Sequence, residues 1–120
     1  MIALRAENPA RGSTLGTRIV LADRWWTRLR GLMGRAGLER GEGLILRPCR
    51  AVHMVWMSFP LDVAFLDKSG VVVASYASLA PRRRTRWHAE ARDALELPEG
   101  TLAATGTVNG DTIVYTEVGP

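Results

Sequence analysis

The sequence has a single cysteine, Cys49, so no disulfide can form within the chain. That fits a reducing compartment. Lysine is almost missing: of the 16 basic residues only Lys68 is a lysine, and the rest are arginines. No run approaches the roughly 18 apolar residues that a membrane-spanning helix needs. The longest apolar stretches, at 51–57 and 71–74, are strand-sized. The opening segment MIALRAENPARG is interrupted by Arg5 and Glu7 where an export signal requires an unbroken apolar core. These features read as a cytoplasmic protein with no membrane partner. Also missing are a Walker-type Gly-Lys-Ser/Thr loop, a Gly-x-Gly-x-x-Gly turn after a strand, and a Gly-x-Ser-x-Gly elbow. Nucleotide cradles and serine nucleophiles of the usual kinds are thereby disfavoured, and no cofactor is expected.

What is present suits one domain. At 120 residues, 47% apolar and 23% charged, the chain can bury a core without staples. The net charge of +4 and an isoelectric point near 10.2 keep acidic partners in view, nucleic acid among them.

Residues 1–12, closed by Asn8-Pro9 and Gly12, read as a flexible polar arm ahead of a domain over 13–118. Ser13–Ala22 alternates as a strand, with Thr17, Ile19 and Leu21 on one face. Asp23 is placed to cap a helix through 33, with Trp25, Leu29, Leu32 and Met33 at helical spacing. Strands are predicted at 43–47 and 50–57. Residues 61–67 and 71–76 form the clearest hairpin, joined by the turn Lys68-Ser69-Gly70. Residues 87–97 fit either a strand or a short helix. Thr101–Thr105 forms a helical turn that Gly106 ends, and 112–118 is a last strand. Six or seven short strands with one or two short helices give a mainly β, β-rich α+β fold: a small barrel-like single domain or sandwich.

The order of several short motifs carries a family resemblance. Gly31-Leu32-Met33 with Arg35, Met57 before Pro60-Leu61-Asp62, Phe65, Gly70-Val71-Val72, Leu95-Glu96-Leu97-Pro98 with Gly100, and Asn109-Gly110-Asp111 together span residues 14–115. In that order the chain resembles the uncharacterised family known as domain of unknown function 192, found in bacteria and archaea. The resemblance implies a small barrel-type domain rich in β-structure and implies no activity. Many relatives carry Trp-Met-Lys-Asn-Thr where this chain has Trp56-Met57-Ser58-Phe59. The chain instead resembles a subgroup with a Cys-x3-His-x3-Met pattern, here Cys49, His53 and Met57.

Those three residues are chemically suited to a soft metal. On a strand, however, successive members stand roughly 13 Å apart. Metal bonds of about 2.0–2.3 Å do not span that gap, so no metal site is expected unless the strand bulges. Asp62, Asp67 and Glu96 are carboxylates embedded in apolar runs, where burial is costly unless the group is paired. A His53–Asp62 pair in a cleft would anchor a ligand or act as a general base. The alternative is a pair that fixes register, or an Asp62 that caps a turn after Pro60.

The remaining constellation is Arg82-Arg83-Arg84-Thr85-Arg86-Trp87-His88, four arginines beside an aromatic. It suits phosphates and stacked bases, or an acidic small molecule or protein. Glu90, Asp93 and Glu96 follow and are expected to compensate part of its charge. The leading reading is a non-enzymatic module that binds an unknown small molecule or protein at a cleft lined by His53, Met57, Asp62, Cys49 and Glu96. A hydrolase using His53 with Asp62 or Cys49, and nucleic-acid binding through residues 82–86, are the alternatives. Either a monomer or a homodimer is compatible with the sequence.

Overall fold

The computed structural model describes residues 3–22, 37–55 and 57–118. The helix expected at 23–33, and with it Trp25, Trp26 and Trp56, lies outside the described residues. Seven strands form one sheet: β1 (Ala3–Asn8), β2 (Ser13–Ala22), β3 (Glu42–Leu46), β4 (Leu61–Leu66), β5 (Val72–Leu79), β6 (Asp93–Pro98) and β7 (Val114–Glu117). Their order is β5-β4-β6-β3-β2-β1-β7. Every pairing is antiparallel except β2–β3.

The sheet curls without closing into a barrel. Its two ends meet at one antiparallel bridge, Val71 with Thr112, beside the Ile113 N–H bond to the Gly70 carbonyl. Gly70 is required there. Its φ is +85°, and a Cβ would lie 2.6 Å from the Ile113 oxygen. Gly43 is needed for a different reason. Where β3 crosses close to β6, a Cβ would sit 2.9 Å from the Glu96 carbonyl oxygen.

Both faces of the central strands are buried, which is why β4 is covered at all six positions. One cluster joins Ile45, Ala64, Leu66 and Leu95 to Val72 and Ile113 from the two ends of the sheet, so it fills the concave side. The helix α1 (Thr101–Thr105) closes that side through Leu102. The second cluster lies on the convex side. There Leu44, Val63 and Phe65 are covered by Val52, Met54, Phe59 and Ala91 from the long connections.

Two sequence expectations change. Residues 3–8 are not an arm but strand β1, with Leu4, Ala6 and Asn8 buried and Arg5 exposed. The described residues of the 50–57 segment do not form a regular strand. Only His53 is bridged, to Arg84, and the segment pairs irregularly with residues 82–88. Residues 13–22, the hairpin of β4 and β5, and the short helix ended by Gly106 are as expected. No helix among the described residues is long and apolar enough to cross a membrane.

Candidate functional site

Asp62 is fully buried on the concave side, and both its oxygens are engaged by backbone. Oδ2 accepts from the Leu102 N–H at 2.8 Å, and Oδ1 from the Ser78 N–H at 2.9 Å. Each bond answers a local need. Gly100 precedes the helix and has no side chain to satisfy the first-turn N–H groups, so a strand residue caps α1 from 40 positions upstream. Ser78 sits at a register shift of β5 with φ 53°, where its N–H has left the ladder. Asp62 therefore acts as a tie between strand, bulge and helix.

His53 lies elsewhere. It is exposed on the convex side, between inward-pointing Val52 and Met54, and has no carboxylate partner among the described residues. Hence the structure does not bring His53 and Asp62 together. Cys49 is partly buried against the convex cluster, its Sγ–H donating to the Ala51 carbonyl at 3.1 Å. Met57 packs on the same cluster. Among the described residues no group of three or more His, Cys, Asp or Glu side chains is arranged to hold a metal ion.

Glu96 projects into the convex cluster, flanked across the sheet by Leu44 and Val63. Burial among apolar groups pushes its carboxyl up to about 7. Asp93, three residues earlier, is fully buried too. It takes a forked pair from Arg47 at 2.6 and 2.9 Å and a second fork from Arg92 at 3.2 and 3.3 Å. At the far end of the sheet, Arg11 holds the Asp111 carboxyl well below the ordinary range, helped by Asn8 and the Val108 N–H.

These placements alter the charge balance of the arginine run. Of the three carboxylates expected to compensate it, Asp93 is committed to Arg47 and Arg92 and Glu96 is buried. Only Glu90 remains at the surface. Arg82, Arg83, Arg84 and Arg86 are exposed, and none makes an ion pair among the described residues. Arg50 joins them from the opposite segment, its Nε donating to the Ala89 carbonyl. Sequence order does not place Arg50 with the run, because their adjacency depends on pairing between distant segments.

The backbone that carries these cations is fixed. Met54 N–H donates to the Arg83 carbonyl, Arg82 N–H to that of Met54, Thr85 N–H to that of Val52, and His88 N–H to that of Arg50. The Thr85 hydroxyl accepts from the Val52 N–H, replacing a ladder carbonyl. A turn at 80–83 is closed by the Arg83 N–H bond to the Ala80 carbonyl, with Pro81 and Arg82 at its centre. Arg82 has φ 68° in a position that ordinarily selects glycine or asparagine. Beside this ribbon, Arg50, Lys68 and Arg92 also line an open cleft of about 480 Å³, together with Asp67 and Glu90.

Comparison with solved structures gives two close matches in fold. A protein of unknown function from Novosphingobium aromaticivorans superposes with a TM-score of 0.78 at 24% identity, covering 94% of this chain and 84% of its own. A putative transcription regulator from Sinorhizobium meliloti gives 0.78 at 22% identity, covering 95% and 92%. No curated protein matches the sequence. The family DUF192, described as "Uncharacterized ACR", matches residues 6–115, and the chain belongs to that family.

Proposed function

We propose that the protein is a non-catalytic binding module whose docking face is the arginine ribbon and whose partner is nucleic acid. One observation carries this reading: five exposed arginines on a hydrogen-bonded ribbon, with no carboxylate partner among the described residues. An uncompensated basic surface of this kind attracts phosphates and releases their counterions. The left-handed Arg82 adds support, because backbone strain tends to persist where it presents a functional side chain. The description of the Sinorhizobium neighbour as a putative transcription regulator falls in the same class, though its 22% identity supports the fold alone.

A ligand held between His53 and Asp62, or a hydrolase using them, has less support. Both Asp62 oxygens are bonded to backbone N–H groups, and His53 faces solvent on the other side of the sheet.

The test separates stability from binding at the same ribbon. Arg82→Gly relieves a positive φ and is expected to leave folding stability unchanged or raised by up to about 1 kcal/mol. The same substitution removes a phosphate contact. Together with Arg84→Gln and Arg86→Gln, it is expected to weaken oligonucleotide binding at least ten-fold at low salt, measured by fluorescence anisotropy. Unchanged affinity in the triple variant would overturn the assignment.

A further inference from the structure

Trp87 is the most exposed large apolar residue among the described residues, with 70% of its surface accessible. Exposure alone says little, since surface apolar residues are common. Its anchoring is more informative, because both flanking residues are pinned. The Arg86 N–H donates to the Tyr76 hydroxyl at 3.3 Å. His88 hydrogen-bonds the same hydroxyl through Nε2 at 2.7 Å, and its N–H reaches the Arg50 carbonyl. The His88 ring packs on Phe65 with centroids 4.7 Å apart, and burial holds its pKa down, so the ring fits as a neutral packing group. Thus the backbone on either side of Trp87 is tied to the core while the indole projects into solvent. Arg86 adjoins it in sequence, and Arg50 is brought to the same end of the ribbon by the His88 bond to its carbonyl.

From this geometry, and resting on the nucleic-acid reading above, we infer that the ribbon takes single-stranded nucleic acid, with Trp87 as a platform for one unpaired base. The arginines contact phosphates whatever the strand state. An indole adds affinity only where a base offers a free face, and in a duplex those faces are stacked inside. Pinning of residues 86 and 88 reduces the entropy lost when a base docks.

The probes are a fluorescein-labelled oligothymidylate of about 12 nucleotides, its RNA counterpart, a duplex of the same length, inorganic polyphosphate and polyglutamate. Wild type is expected to bind both single strands more tightly than the duplex. Trp87→Ala should weaken the single strands about ten-fold or more while leaving polyphosphate affinity and the unfolding midpoint unchanged. Trp87→Phe, which keeps a ring, should recover most of the loss. Tryptophan quenching on binding should shrink in both variants. Equal affinity for duplex and single strand, with no effect of Trp87→Ala, would overturn the single-strand inference and leave the docking face standing. Failure to bind any nucleic acid, or polyglutamate binding as tight as the oligonucleotides, would overturn both.

Discussion

Replacing Asp62 with alanine is expected to lower folding stability by about 4 kcal/mol, a large share of the 5–15 kcal/mol typical of a domain. Two backbone donors, the buried N–H of Leu102 and the partly buried N–H of Ser78, lose their acceptor at once. Each bond to a charged acceptor contributes about 1.5–3 kcal/mol. Ser78, held at φ 53°, also loses the bond that offsets its strained backbone. Asp62→Asn should be milder, at about half the loss, because a carboxamide keeps one acceptor oxygen and presents an NH2 to the second donor. Urea unfolding of the two variants checks the ordering. A loss below about 1 kcal/mol in the alanine variant would refute the tie.

Glu96→Gln is expected to act in the opposite direction, as a gain above neutral pH. The Glu96 carboxyl has an ordinary value of 4.5 and is pushed up to about 7 by burial in the convex cluster. Between those values the folded protein holds a proton that the unfolded chain has released. Raising the pH therefore favours unfolding. The contribution of Glu96 to stability should fall from about pH 4.5 to about pH 7 and then level off, by about 3 kcal/mol in all. Glutamine removes that dependence, so the variant should be more stable than wild type at pH 8 and close to it at pH 4. Asp111 runs the other way, its contribution fading as the pH drops below the ordinary carboxylate range, and it is common to both proteins. Subtracting one pH–stability profile from the other isolates Glu96. Parallel profiles would show that folding leaves the Glu96 carboxyl at its ordinary value, against its burial in an apolar site.

Local pattern made much of the fold legible. The alternation of Ser13–Ala22, the turn Lys68-Ser69-Gly70 and the glycine ending α1 each rest on neighbouring residues, and each reappears as a strand, a hairpin or a helix end. Strand β1 was legible in part, since Leu4, Ala6 and Asn8 alternate with Arg5 and Glu7. The nearby Asn8-Pro9 and Gly12 read as a chain break but form the turn into β2. Residues 50–57 have strand composition, but a ladder needs a regular partner. The facing segment carries a proline turn, and the Thr85 hydroxyl stands where a carbonyl would.

The candidate site was less accessible, because its logic is long-range. Nothing near Asp62 in the sequence announces Ser78 or Leu102, which are 16 and 40 residues away. The arginine run itself is plain to see. Whether it is neutralised depends on where Asp93 and Glu96 end up, and neither reaches its surface: Asp93 is held by Arg47 and Arg92, and Glu96 is buried within the convex cluster. Arg50 belongs to the same surface only because its segment pairs with residues 82–88.

The most direct test of the arginine ribbon as docking face is the salt dependence of single-strand binding by the unmodified protein. With three to five phosphate contacts, log Kobs should fall against log salt with a slope of about −2 to −4. Loss of Arg82, Arg84 and Arg86 should flatten that slope by about 2. A slope near zero, or one that the substitutions leave unchanged, would contradict the account.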